Sequence, residues 1–332
     1  MSDTEDETAP GDLEELARER EREANRRFSA EDLLADEHRR KIRVRTFAGP
    51  ESFVGRMDRI RVAHLTDLHV GRVTPMDIQR GAIALANAES PDLVVLTGDY
   101  VCHSLDYLDA LEDLMRSFTA PAFAVLGNHD HWSGGAEVRA ALKRAGVTVL
   151  DNATTEIEIR GSKLQILGID DAYTSHADRK KALAGVDPKR PTLGLSHIAE
   201  EADALWAGGV ELVLSGHTHG GQVTLAGLHE LAIGRVAGHK YVHGLYGSRK
   251  AEPNKGAVYV GAGIGSAVMP IRLGERGKRE VTIFDLGVGP GTFEEHHEEQ
   301  AALPGRKPST KKIQKRALAV LKKRQRREKK QG

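Results

Sequence analysis

The sequence predicts an α/β domain built around two sheets, and three features carry that expectation. Short, continuously apolar runs alternate with helical patterns from about residue 59 onward. An alternating stretch with a central glycine interrupts the series as a hairpin would. Several apolar runs end on Asp, Asn or His beside glycine. Continuous apolar strands separated by helices imply a sheet covered on its faces, because only a strand buried on both sides lacks polar alternation.

Taken in order, IRVAHLT (60–66) reads as a strand and MDIQRGAIALANAES (76–90) as a helix. DLVVLTG (92–98) is a buried strand, LDYLDALEDLMRSF (105–118) a helix, AFAVLGN (122–128) a strand and AEVRAALKRAG (136–146) a helix. TEIEIRGSKLQILGI (155–169) alternates about Gly161 like a hairpin. PTLGLSH, the helix AEEADALWAGG and the strand VELVLSGH follow. GAVYVGAG (256–263) and EVTIFDL (280–286) complete the set. The expected domain is 59–287, flanked by a charged helical or disordered extension over 1–58 and an acidic-then-basic tail over 288–332.

The 332 residues carry 48 basic and 48 acidic side chains, so bulk charge selects no partner. Its distribution is more informative. The tail from residue 305 is strongly basic, and Ile313, Ala317, Leu318 and Leu321 fall on one side of a helix there. That pattern suits either a solvated tail or a helix resting on an anionic membrane or nucleic acid. One cysteine, Cys102, allows no internal disulfide. With no apolar leader and no window of about 20 apolar residues, a cytoplasmic location is expected, with possible peripheral contact at the inner membrane face.

The strand ends carry the chemistry. TDLH offers Asp67 and His69, TGDY offers Asp99, GNHD offers Asn128, His129 and Asp130, SH offers His197, and GHTH offers His217 and His219. Carboxyl ends of strands in α/β sheets share one edge, where ligands bind. Imidazoles and carboxylates without thiols suit Mn, Fe, Zn or Co. A carboxylate can bridge two ions, so this set has the arithmetic of a two-metal hydrolase. A lone histidine at a strand end is more often an ordinary hydrogen-bonded residue; five such ends in one series are not.

The series DLH, GD, GNHD, SH and GHTH resembles the calcineurin-like metallophosphoesterases. GHTHGGQ, KYVHGLY (240–246) and GAGIGSAVMPIRL (261–273) resemble their bacterial branch that includes UDP-diacylglucosamine pyrophosphatases. The resemblance implies a four-layer αββα sandwich of two mixed sheets. It implies two divalent cations, one held by Asp67, His69, Asp99 and His219 and the other by Asp99, Asn128, His197 and His217. It also implies that His129 contacts substrate phosphate and that a hydroxide bridging the metals attacks. The implied activity is hydrolysis of phosphoester or pyrophosphate bonds in a phosphorylated small molecule or a lipid-linked or nucleotide-like substrate. A nuclease or cyclic-nucleotide diesterase on the same scaffold, and a metal-bearing scaffold without turnover, are the alternatives.

Overall fold

The computed structural model describes residues 35–221, 238–267, 272, 277–296, 298–305, 318 and 322. The strands are β1 (Ile42–Ala48), β2 (Ile60–Leu65), β3 (Leu93–Thr97), β4 (Ala122–Val125), β5 (Thr148–Val149), β6 (Ala153–Ile159), β7 (Ser162–Ile169), β8 (Thr192–Ser196), β9 (Leu212–Ser215), β10 (Gly244–Gly247), β11 (Ala257–Val260) and β12 (Arg279–Leu286). The α-helices are α1 (Met76–Ala88), α2 (Leu108–Arg116), α3 (Asn128–Arg144), α4 (Arg179–Leu183) and α5 (Ala202–Ala207).

Two mixed sheets result, ordered β1-β12-β2-β3-β4-β5 and β10-β11-β9-β8-β7-β6. β2 to β5 run parallel in the first, and β7, β8, β9 and β11 in the second. The alternation of strand side chains explains the layers. Leu93 and Val95 of β3 join Leu193, Leu195, Leu212 and Leu214 in the core between the sheets. Val94 and Leu96 face outward, where Ile83, Leu85, Leu111, Val138 and Leu142 of α1 to α3 cover them. α4 and α5 cover the other sheet through Ala182, Ala202 and Leu205. The order is therefore helix, sheet, sheet, helix, as expected.

Both expected boundaries need correction. Residues 42–48, placed in the extension by sequence, form β1 and pair in parallel with β12. Just before it, His38 is buried so close to Gly81 that a Cβ there would meet the ring at 2.3 Å. Residues 295, 296 and 298–303, placed in the tail, also lie on the domain. The N–H groups of Gln300 and Leu303 donate to the carbonyls of Leu245 (2.8 Å) and Lys240 (2.9 Å). Buried Arg249 pairs with Glu295 (2.7 Å) and Glu299 (2.9 Å). The expected helical stretch through residue 34 lies outside the described residues. So does the basic tail from 306, apart from Leu318 and Lys322. Among the described residues, no helix is long and apolar enough to cross a membrane.

One buried carboxylate ties the two sheets together. Glu280 on β12 forms an ion pair with Arg45 of β1 (Nε to Oε2, 2.7 Å), accepts from the Tyr259 hydroxyl of β11 (2.9 Å), and contacts His243 Nε2 (3.0 Å). The Ala262 N–H also donates to it (2.8 Å). Burial alone would raise the Glu280 pKa, but His243 and Arg45 outweigh burial and hold it far below the usual range. Glu280→Gln removes the counter-charge of a buried cation and is expected to cost about 3–5 kcal/mol in urea denaturation at pH 7. A depressed folded pKa stabilises above the unfolded value and loses that contribution on acidification. The gap between the two proteins should therefore shrink below about pH 4.

Candidate metal centre

Each parallel strand ends by turning its last residues over the shared edge of the two sheets. The turns are tight. Asp67, His69, Asp99, His217 and His219 all have positive φ, between 45° and 76°. For residues with a Cβ this conformation costs about 1–2 kcal/mol each. Strain repeated at neighbouring residues of one edge marks a functional site.

The strained side chains converge. Asp67, His69 and His219 form one group able to hold an ion, and Asp99, His197 and His217 another, with each group's ligand atoms within 4.8 Å of one another. His69, Asp99 and His129 form a third such group. Asp99 Oδ2 stands between the first two, 3.6 Å from His69 Nε2 and 3.4 Å from His197 Nε2. Ring nitrogens face each other with His69 Nε2 3.1 Å from His219 Nε2 and His217 Nδ1 3.3 Å from His197 Nε2.

Orphaned atoms show that this set fits a cation. Asp67 Oδ1 is buried without a hydrogen-bond partner among the described residues, and so is Asn128 Oδ1. The other Asp67 oxygen is occupied, accepting from Thr66 Oγ1 (2.9 Å) and the His217 N–H (3.1 Å). His197 Nδ1 contacts the Thr97 carbonyl at 2.7 Å, so Nδ1 carries a hydrogen and Nε2 is the nitrogen that would take an ion in place of its proton.

Electrostatics agree with the donor set. Burial lowers His69 to about 3 and His219 to about 3, and it drives His217 well down too, so these rings present neutral lone pairs. Burial raises the Asp67 pKa. His197 is the exception: burial works against its charge, but Asp99 raises it to about 10. Burial would likewise raise Asp99, yet His197 and His129 hold it well below the usual carboxylate range. An imidazolium here does what a cation would do.

The structure also places the residues around the set. His129 is half-buried, its ring 4.9 Å from that of His69, with no partner for Nδ1 among the described residues. Asp130 orients neither His129 nor a ligand histidine. It accepts from the backbone N–H groups of Asp99 (2.8 Å), Tyr100 (2.8 Å), Val101 (3.2 Å) and Gly127 (2.9 Å), which fixes the turn that carries Asp99. Asp171 accepts from the Thr174 N–H and hydroxyl, and Asp170 pairs with His131 (2.7 Å). His243 is buried against Glu280. Cys102 is buried, its thiol on the Ala267 carbonyl (3.3 Å). Sequence gave no sign of Arg272, which approaches His219 Nδ1 at 3.4 Å and donates to the Ala262 carbonyl (2.6 Å). Gln222, residues 268–271 and Leu273 of the quoted motifs lie outside the described residues.

The glycines before the ligands are needed for packing of one ligand turn on another. A Cβ on Gly127 would fall 2.3 Å from Asp99 Oδ1, and one on Gly216 2.5 Å from Asp67 Oδ2. Gly127 has φ −108°, open to any residue, so Gly127→Ala probes the contact and not the backbone. Displacing Asp99 this way is expected to weaken manganese binding by about 10–100-fold in calorimetric titration.

Histidine and aspartate groups able to hold metal, at the strand-end edge of an αββα sandwich, define a metal-binding α/β protein of the phosphoesterase type. The family model described as calcineurin-like phosphoesterase matches residues 60–221. The chain is 32% identical over 234 residues to Phosphodiesterase YaeI of Escherichia coli (strain K12), covering 68% of this chain and 82% of that protein. It is 30% identical over 235 residues to the uncharacterized metallophosphoesterase YkuE of Bacillus subtilis (strain 168), covering 69% and 79%. A metallophosphoesterase of Aquifex aeolicus (strain VF5) is 32% identical over 225 residues, covering 64% and 80%. The chain belongs to the calcineurin-like phosphoesterase family.

Proposed function

We propose that this protein hydrolyses phosphodiester or pyrophosphate bonds with two divalent cations, held by Asp67, His69, Asp99 and His219 and by Asp99, Asn128, His197 and His217. The observation that supports the pair is the position of Asp99 Oδ2, within 3.6 Å of a ring nitrogen from each group. Manganese, iron, zinc and cobalt all suit these donors. Bound there, the cations supply Lewis acidity and a water whose pKa falls to about 7.

The chain's own groups do the rest. Asp99 keeps its charge because the surrounding rings favour it. His197 is held in one tautomer by Thr97. His129 meets the His69 ring edge to face beside the set, and its role in this reading is to donate to a phosphoryl oxygen as charge develops. The diester reading is favoured over a monoester because the Escherichia coli relative is named a phosphodiesterase. The substrate is a small phosphorylated molecule or a lipid-linked one. A cytoplasmic setting belongs to the same reading, since the one cysteine needs no oxidising compartment.

The test is turnover of bis(p-nitrophenyl) phosphate and p-nitrophenyl phosphate by protein stripped of metal and then reloaded with manganese. Diester hydrolysis that appears on reloading and disappears with chelator is expected. Reloaded protein that turns over neither compound would overturn the reading.

A further inference from the structure

We propose that the mouth of the metal centre is a binding wall for a planar aromatic group joined to the substrate phosphate, of the kind a nucleobase presents. This rests on the phosphoester reading above and narrows its substrate class.

The wall is a continuous arc of rings drawn from three loops and one helix. His103 follows β3, Trp132 lies in the first turns of α3, Tyr173 follows β7, and His239 precedes β10. Two site residues join them. Ring centroids lie 4.8 Å apart for His103 and His129, 5.0 Å for His129 and Trp132, and 5.8 Å for Trp132 and Tyr173. The arc continues at 5.3 Å from Tyr173 to His217 and 5.3 Å from His217 to His239. All are distances of aromatic contact. The planes meet at 49° to 76°, so neighbours tilt or meet edge to face rather than closing into a stack.

The arc is solid and accessible at once. His239 is tied to Glu200 at 3.1 Å. His103 is exposed, while Trp132, Tyr173 and His239 are half-buried, each keeping part of its surface toward solvent. His129 and His217 belong both to the arc and to the metal-competent set. A phosphate at the centre therefore brings whatever it is esterified to against these rings. Stacking on aromatic side chains favours any base, since every base has a π-face. An acyl chain needs a broad apolar surface instead. Among the described residues the exposed large hydrophobics are Val54 and Leu318. Val54 precedes β2 and so belongs to the opposite end of the parallel strands from the centre.

The test compares AMP with ribose 5-phosphate, which differ only by the base, in calorimetric titration of the manganese-loaded protein. AMP is expected to bind about tenfold or more tightly, the range of one base–aromatic stack. Trp132→Leu and Tyr173→Leu should each collapse that ratio toward one. Equal affinities in the parent protein overturn the proposal without help from any variant. So do variants that weaken both compounds equally, which would make the arc a support for the centre only. If the same preparation hydrolyses bis(p-nitrophenyl) phosphate while AMP and ribose 5-phosphate bind alike, the arc fails and the phosphoesterase reading stands. If it neither hydrolyses the diester nor binds either compound, both fail.

Discussion

Asp99→Ala is expected to release both cations and to lower diester turnover by at least about four orders of magnitude, the scale on which catalytic units fail when one member is removed. Each half of the set loses a donor, because the lost Oδ2 lies 3.6 Å from His69 Nε2 and 3.4 Å from His197 Nε2. The loss also leaves two buried groups of imidazoles with less negative charge to balance a dication. The fold should survive. The turn is held through the residue 99 N–H by Asp130, and that bond does not need the side chain. Elemental analysis after gel filtration, with circular dichroism as the control, reads the result. A folded variant that keeps two ions per chain would remove Asp99 from the bridging position.

The second large effect is at His129. His129→Ala is expected to keep both ions and to lower kcat by about 10²–10³-fold, the usual contribution of one hydrogen-bond donor aimed at developing charge. Its ring belongs to the arc and touches the His69 ring, but His129 holds no place in either proposed four-residue set. Burial, the largest influence on it, keeps its pKa below the ordinary 6.5 despite the pull of Asp99. The ring is therefore neutral at pH 7, and in the proposed function it donates an N–H to the phosphoryl group. Single-turnover kinetics with the metal content measured on the same sample separate this from metal loss. A variant with full metal and the parent rate would contradict the role.

The parallel strands are legible in the sequence because they are buried on both faces, and the LVVL run of β3 has no polar position to mislead. The site residues were legible for a related reason. A polar residue directly after such a run must lie at the sheet's carboxyl edge, so Asp67, Asp99, Asn128, His197 and His217 were placed by strand assignment alone. β1 was missed because Arg43 and Arg45 give IRVRTFA the look of a charged extension. Arg45 is tolerated inside only through Glu280, more than two hundred positions away. Such a partner leaves no local signal. β10 is short and bounded by Gly244 and Gly247, so it reads as a loop. The start of α3 was placed late because Gly134 and Gly135 look like a break. The helix passes through them with a kink at Gly134 (φ 141°), and its first turn carries Asn128 to His131. The aromatic arc was hidden for a different reason: its members are single residues between positions 103 and 239, joined only by the folded edge.

The most direct measurement is an anomalous-difference map from crystals grown with manganese. Two peaks are expected, one beside Asp67, His69 and His219 and one beside His197 and His217, with Asp99 Oδ2 between them. A single peak away from Asp99, or no peak at these residues, would contradict the binuclear centre.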